Sequence, residues 1–360
     1  MNRASTLNDL FFGKRGSHFE LAVEANIPKE ESKAGKNGKY KICRYEVSIG
    51  NSEDKGEWHI LDEILWLMSG TQDTPERQQG LFPRVPDAPD TIMLSLPGRG
   101  SGRKKIFSKA KSGDHFWSET TKWNYPLRLG ARRSRLANVP EDTDKFPVSN
   151  WLRSVLIEGV QRLALDVKSM RKPCSPVAPS FFLPDGSNLP LVLRRLRENH
   201  PDKFQKWLAH VQTVLSDVID IEVVEQQEDR YLHLAVKYSN NIRVSSWRLS
   251  DGTLRFLALT LLPYLSGVDR VYLVEEPENG IHPTAIDAVF QSLSSVYEGQ
   301  VLVATHSPLV LARADLKNIL CFAKTKDGAT DIVSGSDHPA LLGWKGKETL
   351  DVLYAAGVLG

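Results

Sequence analysis

Residues 273–283 read LVEEPENGIHP. An apolar run ends in two adjacent carboxylates, Glu275 and Glu276, directly before Pro277 and a turn that contains Gly280. Like charges side by side are costly unless a cation or a proton offsets them. The preceding VYLV has the continuous apolar character of a buried strand, and in an open α/β sheet ligands bind beyond the carboxyl ends of the strands. Carboxylates at that edge hold a hydrated Mg²⁺ and orient a water against a phosphate. The pair therefore points to a metal–phosphate ligand that brings the missing positive charge. Neighbouring residues on a strand face opposite ways, so both reach one cleft only if the chain turns at the strand end.

Two further segments end in the same style. QVLVATHSP (300–308) is an apolar strand that closes on Thr305, His306 and Ser307; if it neighbours the first strand, its polar end lies beside Glu275 and Glu276. RLSDGTLRFLALTLL (248–262) places Ser250 and Gly252 at the start of a strongly apolar helix, where free backbone N–H groups and the helix dipole attract anions. The surrounding pattern is helix 253–265, strand 270–275, helix 283–297, strand 300–305, helix 308–315 and strand 318–323. That alternation predicts an α/β core in the last third of the chain.

Upstream, 17–25 and 39–49 alternate apolar and polar residues and read as half-buried strands around the turn KEESKAGKNG, while 57–68 fits a strand or a short helix. From 70 to 148 Pro, Gly, Arg and Lys are dense and periodicity is weak. Between Arg99 and Arg135 eleven Lys/Arg face two acidic residues, a local excess of +9 that leaves the rest of the chain at −7 against a total of +2. Phe107, Phe116, Trp117, Trp123 and Tyr125 interleave with these cations, a mixture that suits either nucleic acid or an insertion packed on the core by its aromatics. Ser149 reads as an N-cap ahead of Leu152, Val155, Leu156, Val160, Leu163 and Val167 at helical spacing, predicting a helix over 149–171. Helices follow at 189–199 and 202–215, and a hairpin over 219–247 around Ser239-Asn240-Asn241.

The chain of 360 residues, 41% apolar and 25% charged, has the make-up of a soluble globular protein with a sizeable core. Cys43, Cys174 and Cys321 lie too far apart for a metal motif and fit reduced thiols, and no run approaches the ~18 apolar residues that span a membrane. The N-terminus lacks a signal-peptide pattern, so the cytoplasm is the expected location. The histidines outside these motifs form no metal-ligand spacing.

LSDGTLR, LVEEPENGIHP and ATHSP resemble the signature helix, the Walker B strand with D-loop, and the H-loop of ABC-type ATPases. The closest resemblance is to the RecF/SMC-like branch of AAA-domain proteins found in bacterial DNA repair and anti-phage defence. The motifs span 249–308, and the similarity of pattern extends from 185 to the C-terminus. It implies an ABC-type P-loop NTPase-like α/β fold with a β-rich N-terminal part (1–69), a basic insertion (70–148), a helical lobe (149–218) and an α/β ATPase lobe (219–360). It implies that Glu276 activates the attacking water, that Glu275, where relatives carry Asp, binds Mg²⁺, and that His306 contacts the γ-phosphate of ATP. Asn279 then sits near a dimer seam, and Ser250 and Gly252 cap nucleotide held by a second copy. His282 either caps the following helix or packs at that seam. The implied partners are a homodimer mate, an effector protein encoded nearby and DNA along Arg99–Arg135, with no membrane.

The family also needs a phosphate loop, G-x-x-x-x-G-K-[S/T]. The Gly-Lys pairs at 13–14, 35–36, 38–39 and 346–347 are followed by Arg15, Asn37, Tyr40 and Glu348, and GRGSGRKK (98–105) has the wrong spacing. The simplest expectation is that this sequence begins downstream of the loop, with roughly 50 to 70 residues absent by comparison with the usual start of the family's motif. Binding of MgATP by this chain alone is then expected to be weak or absent. The alternative is a non-hydrolysing regulatory or scaffold subunit that retains the fold. A nuclease of the overcoming-lysogenization-defect type would need a Toprim domain, for which the stretch after ATHSP is too short.

Overall fold

The computed structural model describes residues 11, 16–31, 39–51, 57–70, 82–85, 89–94, 102–110, 113–265, 270–297, 299–342 and 350–355. The chain divides into two compact units, one formed by 1–77 with 87–157 and the other by 78–86 with 158–360.

The first unit is a six-stranded antiparallel meander, β1 (His18–Asn26), β2 (Ile42–Asn51), β3 (Trp58–Met68), β4 (Arg103–Ala110), β5 (Gly113–Trp117) and β6 (Asn124–Leu127), in that spatial order. Residues 57–68 are therefore a strand. The sheet runs on into the basic stretch, where Phe107, paired with Phe116, puts both rings into a core with Leu65, Leu67 and Cys43. Arg135 is fully buried, its guanidinium 2.6 Å from Asp114 and 3.4 Å from Glu63. Lys104 donates to the carbonyls of Ser118 and Glu119, and Lys109 to that of Ile60. Part of the basic excess thus serves the fold, and Arg135 is corrected from a candidate DNA contact to a buried structural cation. Arg99 and GRGS at 98–101 lie outside the described residues, as do the Gly-Lys pairs at 13–14, 35–36 and 346–347.

The helix expected over 149–171 is replaced by several pieces. Helix α1 (Pro147–Ser154) starts on Pro147 with Phe146 at the cap position, not on Ser149. Ser149 is buried and gives its hydroxyl proton to Glu119 at 2.5 Å. One π-helical turn, Val155–Gly159, leads into strand β7 (Val160–Leu163), and α2 (Val167–Met170) follows with Asp166 as its N-cap. Within β7, Gln161 and Leu163 are buried while Val160 and Arg162 are exposed.

The second unit holds α3 (Leu189–Asn199), α4 (Pro201–Gln212), α5 (Asp251–Leu261), α6 (Pro283–Ser294), α7 (Pro308–Leu311) and α8 (Leu350–Ala355) around three sheets. The hairpin region is a three-stranded antiparallel sheet of β8 (Val218–Glu225), β9 (Leu232–Tyr238) and β10 (Arg243–Ser245). Strand β11 (Arg270–Glu275) lies between β12 (Gly299–Ala304) and β7, parallel to both. Strand β13 (Leu320–Lys324) does not extend that sheet; it pairs antiparallel with β14 (Thr330–Ser334). Helix α5 buries Leu254 and every residue from Phe256 to Leu261, as expected of a helix apolar nearly all round. With Phe204 and Trp207 of α4, Val289 and Leu293 of α6, and Tyr272 and Val274 of β11 it forms the largest core. The cysteines are free and buried, each in a different cluster, and burial pushes the Cys43 thiol up to about 12. Among the described residues no helix is long and apolar enough to cross a membrane.

Candidate functional site

The parallel sheet decides where the carboxylates go. Glu275 pairs in register with Ala304, so the end of β11 and the polar end of β12 reach the same edge. The backbone N–H of Glu276 still donates to the Ala304 carbonyl at 2.8 Å, but its φ of +46° is left-handed. For a side chain with a Cβ that conformation is strained. It separates the two carboxylates.

Glu275 stays on the exposed sheet face, where Arg162 of β7 grips it with both arms, Nε to Oε1 at 3.1 Å and Nη2 to Oε2 at 2.8 Å. Glu276 turns toward β12, and its Oε1 lies 3.9 Å from Nε2 of His306. The Nδ1 of His306 shares a hydrogen bond of 3.0 Å with the hydroxyl of Tyr354 on α8. The imidazole is thus held by a hydrogen bond at Nδ1, with Nε2 turned toward Glu276 and open to solvent.

Glu278 joins this group. Its Oε1 accepts from the Thr305 hydroxyl at 2.5 Å, and Thr305 Oγ1 accepts from the Ser307 N–H at 2.9 Å. The other carboxylate oxygen, Oε2, is buried without a hydrogen-bond partner. Desolvation, then the negative charge of Glu278 and a hydrogen bond to it, push the Glu276 carboxyl above the usual carboxylate range, and His306 works the other way. A carboxylate poised upward beside an imidazole suits proton exchange with a water.

Ser250 and Gly252 open α5. Ser250 caps it, its Oγ accepting from the Thr253 N–H at 3.1 Å. Gly252 sits so close to the PENG turn that a Cβ would come within 2.5 Å of the Gly280 carbonyl oxygen. Arg255, one turn on, donates to the Asn279 carbonyl at 2.9 Å. The helix start and the turn bearing Asn279 are therefore locked together within one chain. His282 caps α6, its Nδ1 accepting from the Thr284 N–H. The described interactions link Glu276 with His306 and the α5 start with Asn279, but join neither Ser250 nor Gly252 to Glu276.

Sequence reasoning named Thr305 at the polar end of its strand but passed over Arg162, Glu278 and Tyr354. Glu278 lay inside a quoted motif and could have been found there. Arg162 and Tyr354 are brought in by distant elements. Among the described residues no cluster of three or more His, Cys, Asp or Glu holds a metal by itself. Mg²⁺ in nucleotide sites takes one or two carboxylates and completes its shell with phosphate oxygens and water. Glu275, a hard oxygen donor already matched to a cation, fits that arrangement.

The family described as "AAA domain, putative AbiEii toxin, Type IV TA system" matches residues 101–312, more than half of the chain. Over 93 residues the chain is 29% identical to the Old nuclease of Escherichia phage P2, a stretch that is 22% of this chain and 16% of that protein. The chain is thus similar to only a small part of that relative's length. Among solved structures it is similar to an Smc head bound to the C-winged helix domain of ScpA, at 15% identity over 92% of this chain and 80% of that one, with a TM-score of 0.40. An Smc head with an extended coiled coil from Pyrococcus furiosus gives 12% identity over 92% and 82%, with a TM-score of 0.36. Both scores are low. From the family match, which takes in both β11 and the carboxylates at its end, the chain belongs to the AAA-domain ATPase family.

Proposed function

We propose that the edge formed by β11 and β12 is the hydrolytic half of an ATP site, and that the chain is an ABC-type ATPase subunit which switches a homodimer. The observation that carries this reading is the meeting of Glu276 and His306 from adjacent parallel strands, with Glu276 held in left-handed backbone. Strain of that kind persists where the surroundings over-determine it, and it concentrates at functional sites.

In this reading Glu276 takes the proton of the attacking water and His306 steadies the terminal phosphate. Mg²⁺, when bound through Glu275, would offset charge on the phosphates. Phosphoryl transfer depends mainly on such positioning and charge stabilisation. Ser250, exposed at the α5 start, and Gly252, packed on the PENG turn beside it, contact nucleotide held by a second copy, and Asn279 lies at the seam. A role in anti-phage defence or DNA repair, with an effector partner, accords with the family.

The two-pronged Arg162–Glu275 pair, which occupies both oxygens of the expected metal ligand, favours a second reading: a subunit that binds partners through the same fold without turnover. One experiment separates them. The chain is titrated with MgATP up to high concentration, as the weak binding expected without a phosphate loop requires, and assayed for phosphate release and for mass by light scattering, beside Glu276→Gln. The first reading expects turnover that Glu276→Gln abolishes while the dimer persists with ATP. Nucleotide binding without turnover, equal in both proteins, supports the second. No nucleotide-dependent change in either property overturns the first.

A further inference from the structure

The ion pair between Arg162 and Glu275 joins two residues that are 113 positions apart in sequence. The register of the parallel strands sets Arg162 opposite Leu273, so Arg162, Leu273 and Glu275 share one sheet face. The guanidinium meets the carboxylate through two parallel hydrogen bonds, at 3.1 and 2.8 Å, one to each oxygen. That fork-to-fork geometry is the strongest a carboxylate makes with a side chain. It engages both oxygens that a metal, or a metal-bound water, would need.

We propose that Arg162 is a resident counter-ion that competes with the metal for Glu275 and, once displaced, transfers to the phosphates of the incoming nucleotide. This rests on the reading of Glu275 as the metal ligand. Arginine does not lose its proton in the physiological range, so pH does not release the pair. A second cation does. When Mg²⁺ arrives with nucleotide, Glu275 exchanges one positive partner for another. The freed guanidinium, fixed on β7 beside the same edge, then faces phosphate oxygens, to which its planar fork is equally suited. Each charge keeps a partner at both ends of the exchange. In the nucleotide-free protein Arg162 also keeps Glu275 from binding stray divalent ions.

The test uses Mn²⁺, followed by water-proton relaxation, in the full chain and in Arg162→Gln, Arg162→Lys and Glu275→Gln. Half of each side chain is exposed, at 48% for Arg162 and 58% for Glu275, so the variants are expected to fold, with circular dichroism as the check. Removing the competitor should tighten Mn²⁺ binding roughly two- to five-fold, an effect that shrinks at high salt. Arg162→Lys, with a point charge in place of the fork, should fall between. In the presence of ATP the order should reverse, Arg162→Gln binding MnATP more weakly than the unaltered chain. Mn²⁺ affinity that depends on Glu275 but is unchanged in Arg162→Gln overturns the exchange and leaves the metal reading intact. Tighter Mn²⁺ with unchanged MnATP affinity overturns the transfer to phosphate. Mn²⁺ affinity unchanged in Glu275→Gln overturns the metal reading and the exchange with it.

Discussion

At the scale of the residue, Glu276 shows how two adjacent like charges are tolerated. A left-handed backbone at one position sends them to different partners, Glu275 to Arg162 and Glu276 to His306. Left-handed backbone at a residue with a Cβ costs about 1–2 kcal/mol. Glu276→Gly, which removes both that strain and the repulsion from Glu278, is expected to raise the thermal midpoint while ending any hydrolysis; a calorimetric scan showing a lower midpoint contradicts this. Glu119 gives a second residue-scale expectation. It is 2% exposed and accepts from the N–H groups of Val148 and Ser149 and from the Ser149 hydroxyl. Desolvation nevertheless raises its carboxyl from 4.5 to about 6. The folded state therefore holds this proton more tightly than the unfolded chain does. Its favourable contribution is complete below 4.5 and is lost as pH rises through 6, a change of about 2 kcal/mol. Denaturation measured from pH 4.5 to 7 should show that slope, and Glu119→Gln should flatten it.

At the scale of the element, the cations of the basic stretch separate by burial. Arg135 lies between Asp114 and Glu63 at 1% exposure. Removing one partner of such a buried network costs about 3–5 kcal/mol, because the carboxylates left behind are unpaired. Arg135→Ala is expected to lower stability by that amount in urea titrations. Lys122, Arg128 and Arg133 are exposed, as is Trp123 at 66%. If this face meets DNA, changing those three to Ala should lower the affinity and flatten its salt dependence without altering stability. An unchanged salt slope in a binding titration excludes the contact.

The same elements show what sequence patterning could and could not disclose. Strands β11 and β12 were legible because each is an apolar run that stops at polar residues, and α5 and α6 because a capping residue stands before a strongly apolar stretch. Strand β7 was hidden. It has four residues, its inward positions are Gln161 and Leu163, and Val160 and Leu163 also fit the helical spacing of α1. Arg162 was lost with it, since a parallel register with a strand more than a hundred residues away leaves no local trace. Strand β4 was masked by lysines whose amines reach backbone carbonyls, which breaks the usual equation of charge with solvent.

At the scale of the whole molecule, each unit carries its own core, one built on an antiparallel meander and the other on helices packed against a short parallel sheet. The candidate site lies entirely in the second unit, with β7, β11, β12, the PENG turn and α8 all contributing. This assembly explains why the quoted motifs contain Glu275, Glu276 and His306 at the strand edge, while Arg162 and Tyr354 awaited the fold.

The three cysteines sit in three separate apolar clusters, Cys43 with Leu65 and Phe107, Cys174 with Leu191 and Leu232, and Cys321 with Val333 and Leu341. Each sulfur is thus a silent clock for its own neighbourhood. Timed exposure to an alkylating reagent, read by mass spectrometry of the three peptides, should register three independent opening rates. A single shared rate would mean that the chain comes apart all at once.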